Sequence, residues 1–267
     1  MKKNSVIRLN NVQNVYSGPE GRLWELLMGE QIHIGGFRSS MDLAGSARIG
    51  RGERGVDLCC ASGAGMRFLV RFRGVEQMTG VDATHAMVEL RRRRCVEEGL
   101  ADRITFVEGD VCDTGLASRS VDFVWGEDAW CYVENKSKLI AEAVRLVRHG
   151  GTTAFTDWME GAIGLSESEA NRYMSFMKFP SVLTAAEYED LLRANGCSIV
   201  QCRDTGRFPD HVRLYLDMVE KQLTYDALKI IGFDQNAAAG LIGEMRFLES
   251  LAADGKIVQG LIVAQRP

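Results

Sequence analysis

Residues 56–65, Val-Asp-Leu-Cys-Cys-Ala-Ser-Gly-Ala-Gly, carry the strongest chemical signal in this sequence. A short apolar run leads into small residues, which let a bound molecule approach the backbone because large side chains would fill its space. The helix predicted from Met66 would direct its N-terminal N–H groups at negative charge on that molecule. The pattern predicts a nucleoside-binding loop, although alone it also fits an ordinary connection between a strand and a helix.

Acidic or glycine-rich turns follow four successive predicted strands. Asp82 ends the second strand about 20 residues after Gly63, the interval at which a carboxylate accepts hydrogen bonds from ribose hydroxyls. The third strand ends in Glu-Gly-Asp-Val at 108–111, and the fourth in Gly-Glu-Asp at 126–128. Such strand ends meet at the edge where open α/β sheets bind ligands. A nicotinamide dinucleotide fits poorly, because Phe68 stands where its fingerprint has a third glycine.

These motifs, in this order, resemble those of S-adenosylmethionine-dependent methyltransferases of the Rossmann-like class. The resemblance covers roughly residues 52–160 and includes Leu-Val-Arg-His-Gly-Gly at 146–151. A narrower segment, Gly-Glu-Gln-Ile-His-Ile-Gly-Gly-Phe at 29–37, is similar to the N-terminal segment of the sarcosine/dimethylglycine N-methyltransferases. The chain departs from these patterns at three positions. Cys59 and Ala61 stand where the family commonly has glycine, and Tyr132 stands where these relatives often have histidine.

By matching positions, the resemblance implies a set of cofactor-binding residues. Around the methionine part of S-adenosylmethionine it implies Ala61, Ser62, Gly63 and Gly65, with Gly126 near the sulfonium. It assigns the ribose hydroxyls to Asp82. The other cofactor-binding residues that it implies are Tyr16 on the N-terminal arm and, around the adenine, Ala83, Met87, Asp110 and Val111.

The arm folds over the cofactor in the relatives, so the resemblance makes His33 a candidate for the catalytic chamber. Histidine titrates near neutral pH and can move protons. The predicted catalytic residues are His33, Glu127, Trp130 and Tyr132, and Trp158 is expected with them at the chamber mouth. Aromatic faces and a carboxylate suit a methylated ammonium group. His33, Tyr132 or bulk water could take a proton from an amine, and each tryptophan could equally be a core residue.

The sequence predicts a methyltransferase that acts on the nitrogen of a small amine, such as a glycine derivative. Transfer to carbon, oxygen or sulfur of a metabolite or natural product stays open, as does a binding protein that kept the fold without catalysis. Methylation of DNA bases on nitrogen is disfavoured, because no Asn/Asp-Pro-Pro-aromatic turn follows the fourth strand. Methyl transfer chiefly requires that two reactants be aligned and water excluded.

Composition adds few constraints. The net charge of −4 and the 46% of apolar residues suggest no nucleic-acid partner, and no run approaches the roughly 18 apolar residues of a membrane span. The seven cysteines show no Cys-x-x-Cys metal spacing and indicate thiols in a reducing compartment. We therefore expect a cytoplasmic protein, a monomer or homodimer, without a metal, a nucleic-acid partner or a membrane, and the resemblance implies that its cofactor is S-adenosylmethionine.

Alternating strands and helices predict an α/β fold with a seven-stranded, mostly parallel, Rossmann-like sheet and helices on both faces. The resemblance implies that the last strand, at 256–264, is antiparallel beside the strand at 197–204. We expect an arm and cap helices at 1–50, the cofactor-binding core at 51–160, and a substrate cap with the last two strands at 161–267. Residues 1–15 are expected to be irregular, and a helix is expected near residue 115.

Overall fold

The computed structural model describes residues 2–4 and 6–267. The strands are β1 (Lys2–Lys3), β2 (Arg54–Leu58), β3 (Gln77–Asp82), β4 (Ile104–Glu108), β5 (Val121–Glu127), β6 (Val147–Glu160), β7 (Ser181–Val182), β8 (Ser198–Asp204) and β9 (Ile257–Gln265). The α-helices are α1 (Leu9–Ser17), α2 (Pro19–Met28), α3 (Gly36–Ser46), α4 (Ala64–Phe68), α5 (Val88–Glu97), α6 (Lys136–Leu146), α7 (Glu167–Met177), α8 (Ala185–Ala194), α9 (Phe208–Asp217), α10 (Thr224–Ile230) and α11 (Gln235–Ala253).

Seven strands form one sheet in the order β4-β3-β2-β5-β6-β9-β8. The first five of these are parallel, and β9 runs antiparallel to both β6 and β8. The predicted Rossmann-like sheet, with its antiparallel last strand, is therefore confirmed. The proposed division of the chain at residues 50 and 160 stays a prediction.

Helices cover both faces of this sheet because successive strand residues point to opposite sides. On one face Phe123 packs in a buried cluster with residues of α3, α4 and α5. On the other face Val124 packs with residues of α6 and α8. A third cluster, called the cap cluster below, joins α2, α7, α9 and α11, and in it Trp158 of β6 meets Phe208 edge to face with ring centroids 4.6 Å apart. Within residues 2–4 and 6–267, no helix combines the length and apolar character needed to cross a bilayer.

The N-terminal arm is more regular than the sequence suggested, so the prediction that residues 1–15 are irregular was wrong. Residues 9–17 form α1, and β1 pairs antiparallel with β7. Burial of Val12 and Val15 gives α1 an apolar side, and the side chain of Gln13 donates a 2.8 Å hydrogen bond to the carbonyl of Ala83. Tertiary packing therefore decides the helix. Met1 and Ser5, which belong to the predicted arm, lie outside the described residues.

Ion pairs join the segment around α2 to the helices beneath it. Arg94 on α5 pairs with Glu25 and lies 3.6 Å from a carboxylate oxygen of Glu30. Glu30 also pairs with Arg67 on α4. Both arginines are largely covered, whereas Glu25 and Glu30 remain partly exposed. Ion pairs near the protein surface thus hold the arm against the core.

The helix predicted near residue 115 is not formed, and that prediction was wrong. The chain between β4 and β5 is irregular, and several of its polar groups bond to α6. Glu142 accepts hydrogen bonds from the backbone N–H of Thr114 at 2.9 Å and from its hydroxyl at 2.6 Å. Arg145 donates to the carbonyl of Leu116 at 2.7 Å. Gly115 has a φ of +69°, a left-handed conformation that ends any helical turn there.

This arrangement predicts that Glu142→Gln lowers the melting temperature at neutral pH. Hydrogen bonds from Arg145 and Thr114 lower the pKa of Glu142 from 4.5 to about 2. Because the folded-state pKa lies below the unfolded value, the stabilisation is present above that unfolded value and is lost as the pH falls through the folded one. Thermal unfolding followed by circular dichroism, from neutral pH down to about pH 3, measures this change.

Glu89→Gln is the matched control, since Glu89 is exposed and lies 3.6 Å from Arg92 in its only ion pair among the described residues. Its effect on the melting temperature should be small at every pH. A loss in Glu142→Gln that stayed constant down to acidic pH would contradict the prediction.

Candidate active site

A cavity of about 800 Å³ opens at the carboxyl ends of the parallel strands. Its walls come from the loop after β2, the turns after β3, β4 and β5, the helix α1, and the segment around residue 30. The volume is in the range of small-molecule sites. The predicted site residues that line this cavity are Tyr16, His33, Ala61, Ser62, Gly65, Asp82, Ala83, Asp110, Val111, Glu127 and Tyr132.

Trp130 and Gly126 do not line the cavity, because they pack against each other in the core. The indole of Trp130 is buried, stacks on Phe155 with ring centroids 4.1 Å apart, and donates a 3.2 Å hydrogen bond to the carbonyl of Leu58. A Cβ at position 126 would lie 2.3 Å from the indole nitrogen, so glycine makes room for this ring. The structure places Trp130 in the core, as it does Trp158 of the cap cluster.

Gly63 and Met87 are also absent from the cavity wall and stand behind it. Gly63 precedes α4 with a φ of +77° and lies against the ring of Phe106. Met87 closes the short turn His85–Met87 and is almost fully buried. Their backbone N–H groups donate to the carbonyls of two residues that do line the cavity, Cys60 and Thr84.

The loop after β2 holds two non-glycine residues in a left-handed conformation. Cys59 has a φ of +68° and Ala61 a φ of +41°, at the two positions where glycine was expected. Hydrogen bonds hold them there, from the N–H of Cys59 to the carbonyl of Val81 at 2.9 Å and from the N–H of Ala61 to Asp82 at 2.9 Å. A side chain in this region costs roughly 1–2 kcal/mol. The loop is therefore strained in the folded state.

Asp82 shapes the loop and also borders the cavity. Its carboxylate accepts from the N–H of Ala61 and, at 2.7 Å, from the N–H of Thr84. Each carboxylate oxygen has two lone pairs, so further acceptor capacity remains for a ligand hydroxyl. Asp110 is more exposed and accepts a 2.8 Å bond from the N–H of Cys112, while Val111 beside it is buried.

Two buried carboxyl groups, Asp57 and Glu127, lie close together on the cavity wall. A Cβ on Gly65 would lie 2.9 Å from an oxygen of Glu127 and 3.4 Å from an oxygen of Asp57. No lysine or arginine of the described residues forms an ion pair with either group. Burial, with repulsion from Glu127 and Asp82, raises the pKa of Asp57 well above its usual range. Burial raises the pKa of Glu127, and His33 and Ser40 offset part of that rise.

His33 is held against Glu127 by the arm. Its Nε2 lies 3.4 Å from Oε1 of Glu127 and 3.2 Å from the hydroxyl of Ser40. The next residue, Ile34, donates its N–H to Asp128 at 2.8 Å. Asp128 also accepts from the side chain of Gln259 on β9 at 2.8 Å. The site thus joins residues from the arm, β5 and the last strand.

Sequence reasoning missed Ser40, Asp128 and Gln259. Ser40 lies on α3, a turn or two after His33, with nothing in its own pattern to mark it. Asp128 follows Glu127 and was noted only as part of an acidic turn. Gln259 offered a signal, because it interrupts the otherwise apolar run of β9, and a buried amide in such a strand needs partners.

Tyr16 and Tyr132 meet edge to face, with ring centroids 5.9 Å apart. Burial is the main cause that raises the pKa of each phenol above its usual value. Both side chains are therefore neutral at physiological pH, so Tyr132 offers a hydrogen-bonding hydroxyl and an aromatic edge to the cavity. A phenolate base at this position is disfavoured.

Residues 56–155 match the family model described as a methyltransferase domain, and this segment contains the strand tips that border the cavity. This segment is a methyltransferase domain of the class I, S-adenosylmethionine-dependent type. S-adenosylmethionine is the cofactor of this class. Among the described residues, no group of three or more His, Cys, Asp or Glu side chains could hold a metal ion.

Similar proteins share the methyltransferase architecture at low identity. The chain is 26% identical over 157 residues to the sarcosine/dimethylglycine N-methyltransferase of Aphanothece halophytica, a match that spans 53% of this chain and 55% of that protein. It is 25% identical over 201 residues to the 27-O-demethylrifamycin SV methyltransferase of Amycolatopsis mediterranei, over 70% and 73% of the two chains. The chain thus spans only about half the length of the first of these relatives.

A solved structure gives the same picture of the fold. The phosphoethanolamine N-methyltransferase 2 of Haemonchus contortus, in complex with S-adenosyl-L-methionine, superposes with a TM-score of 0.84 at 21% identity. The superposition covers 98% of this chain and 60% of the other. At this identity the similarity establishes a shared fold and leaves the acceptor of the methyltransferase open.

The strained loop predicts that Ala61→Gly stabilises the protein. Glycine removes the left-handed strain of roughly 1–2 kcal/mol and loses part of that gain through a more flexible unfolded chain. We expect the melting temperature to rise by about 1 to 3 °C. Differential scanning calorimetry measures the change, with Ala64→Gly as control. Ala64 begins α4 in a helical conformation, so glycine there should lower stability, and equal losses in both variants would refute the strain.

The paired carboxyls predict that affinity for S-adenosylmethionine falls as the pH falls. Protonation of Asp57 and Glu127, whose pKa values are raised, removes the negative charge that attracts the ligand's ammonium and sulfonium groups. The other ionisable groups facing them are Asp82, His33 and Asp128. Titration calorimetry over a range of pH measures the dependence. S-adenosylhomocysteine, which lacks the sulfonium charge, is the matched ligand, and an equally steep dependence for both would contradict the assignment.

Proposed function

We propose that this protein transfers the methyl group of S-adenosylmethionine to the nitrogen of a small amine. The observation that carries this proposal is the acidic wall of the cavity, where the buried Asp57 and Glu127 lie beside two neutral tyrosines and neither carboxyl pairs with a described lysine or arginine. Such a wall attracts a cationic acceptor and a cationic cofactor. The names of similar N-methyltransferases support the same choice.

The cavity fits the cofactor in both size and polarity. Its floor is the strained loop, where only small side chains separate the backbone from the cavity. Asp82 would bind the ribose hydroxyls, and Asp110 with Val111 would border the adenine. Asp57 and Glu127 would face the charged methionine end, beside Gly65, where a Cβ would approach both carboxylates. When bound, S-adenosylmethionine supplies an activated methyl group, whose carbon–sulfur bond breaks as the new bond to the acceptor forms.

The residues of this chain would then align the acceptor and exclude water. Tyr16 and Tyr132 would present aromatic edges and hydroxyls to the amine. Glu127 would supply the opposite charge from a buried position, where attraction is screened less than at the surface. The arm around His33 would cover the reacting atoms.

Transfer to oxygen or carbon is the second candidate. The similarity to the 27-O-demethylrifamycin SV methyltransferase covers more of this chain than the match to the Aphanothece enzyme. The hydroxyl of Tyr132 in place of a histidine also suits an uncharged acceptor. The cytoplasmic location, the monomeric or dimeric state and the lack of a nucleic-acid partner remain predictions.

A panel of acceptors tests the proposal. The wild-type protein is incubated with isotopically labelled S-adenosylmethionine and with glycine derivatives, ethanolamine-type amines, phenols and thiols, and products are identified by mass spectrometry. We expect label on the nitrogen of an amine. Glu127→Gln should weaken the apparent affinity for that amine by about tenfold, or 1.4 kcal/mol, by removing the opposite charge.

Glu134→Gln is the control, since Glu134 also lines the cavity but is exposed and pairs with Arg8. It should leave amine methylation near the wild-type level. Label found only on the oxygen of a phenol or on carbon would contradict N-methylation and favour the second candidate. Binding of S-adenosylmethionine without transfer to any acceptor would refute methylation of these compound classes.

A further inference from the structure

One residue that lines the cavity has a buried side-chain atom without a hydrogen-bond partner. Among the described residues that line the cavity, only His33 has a buried side-chain nitrogen or oxygen without a partner, its Nδ1. The side chain of His33 is 4% exposed. A buried polar atom left unsatisfied costs roughly 1–3 kcal/mol, so such atoms call for a ligand or a chemical role.

The neighbours of the other ring nitrogen fix where the imidazole hydrogen lies. The hydroxyl of Ser40 donates its single hydrogen to Oε1 of Glu127 at 2.7 Å, so toward Nε2 of His33, at 3.2 Å, its oxygen can only accept. The carboxylate of Glu127, at 3.4 Å from Nε2, is likewise an acceptor. Both neighbours require an N–H at Nε2. In the neutral ring, Nδ1 therefore carries a lone pair.

We propose that Nδ1 of His33 is the atom that takes the proton from the acceptor's nitrogen. This inference rests on the proposed function, since an amine held as an ammonium must lose a proton before its lone pair can accept a methyl group. The nitrogen–hydrogen bond of the acceptor breaks, an Nδ1–H bond forms, and the electron pair stays on the acceptor's nitrogen. The positive charge moves to the imidazole, where Glu127 stabilises it through Nε2.

The surroundings of His33 support proton transfer by holding the ring in place. Asp128 fixes the backbone next to it through the N–H of Ile34, and the side chain of Gln259 donates to both Asp128 and the carbonyl of Ile34. The ionisable groups that interact with the imidazole are Glu127 and Asp128. The side chain of Arg207 lies close to Gly35, and its guanidinium forms an ion pair with Asp42.

The test replaces the imidazole by an amide that keeps the donor and lacks the base. In His33→Gln the terminal amide can still donate to Glu127 and Ser40, but nothing replaces the Nδ1 lone pair. With the amine found in the acceptor panel, we expect kcat/KM at neutral pH to fall about 10²- to 10⁴-fold. The defect should shrink as the pH rises, because solvent then supplies the deprotonated amine. Affinity for S-adenosylhomocysteine should stay near the wild-type value.

His85→Gln is the matched control, since His85 is an exposed histidine that pairs with Glu108 outside the cavity wall. It should keep wild-type kcat/KM at every pH. Near-normal turnover by His33→Gln, or a defect of the same size at all pH values, would overturn the role of His33. In either case, methylation of the amine by the wild-type protein would still support the proposed function. If the wild-type protein methylated no amine, both proposals would be wrong.

A measurement on the wild type does not depend on the folding of any variant. Nitrogen NMR of protein labelled at histidine, bound to S-adenosylhomocysteine, distinguishes a protonated ring nitrogen from one with a lone pair. The four histidines give few signals to assign. We expect the hydrogen of neutral His33 at Nε2. A hydrogen at Nδ1 would overturn the inference.

Discussion

The site depends on the hydrogen bonds of one buried residue, Asp128. It accepts hydrogen bonds from the N–H of Ile34 in the arm and from the amide of Gln259 on the last strand, while its own N–H bonds to Thr156 on β6. Burying a charge without such partners would be costly. These partners lie far apart in sequence, so Asp128 joins the arm to two strands of the sheet. The position of the arm and the packing of the sheet are therefore linked at one residue.

A buried tryptophan beneath the loop after β2 supports the floor of the cavity. Trp130 fills the space that Gly126 leaves and bonds to the carbonyl of Leu58, which ties the tip of β5 to the tip of β2. Above this contact the backbone turns through Cys59 and Ala61 in a conformation that glycine would adopt more easily. The packed residues beneath the loop can hold this conformation, because their contacts outweigh the local preference of the backbone.

The sequence predicted the sheet and the strand tips well, because both depend on local patterns. Alternating apolar runs and acidic turns placed Asp82 and Glu127 at one edge before any coordinates were known. The helix α1 was missed because its sequence is rich in asparagine and its stability comes from packing. The helix expected near residue 115 failed because its partners, Glu142 and Arg145, lie on another helix.

The directions of the side chains in the candidate site were harder to predict from the sequence. A short turn at Trp130–Tyr132 sends Trp130 into the core and Tyr132 toward the cavity, and spacing in the sequence does not distinguish these outcomes. The partners of His33, Ser40 and Glu127, come from α3 and from the end of β5, and Asp128 beside Glu127 bonds to Gln259 on β9. Such non-local contacts orient the imidazole ring, and no sequence motif encodes them.

The arm is secured by two kinds of contact that respond differently to the medium. Asp128 lies inside the protein, where dissolved ions have little influence. The pairs that Glu25 and Glu30 make with Arg67 and Arg94 lie partly at the surface, where mobile counterions compete with them. Rising ionic strength therefore weakens the outer ion pairs of the arm, whereas the buried hydrogen bonds to Asp128 stay largely unchanged.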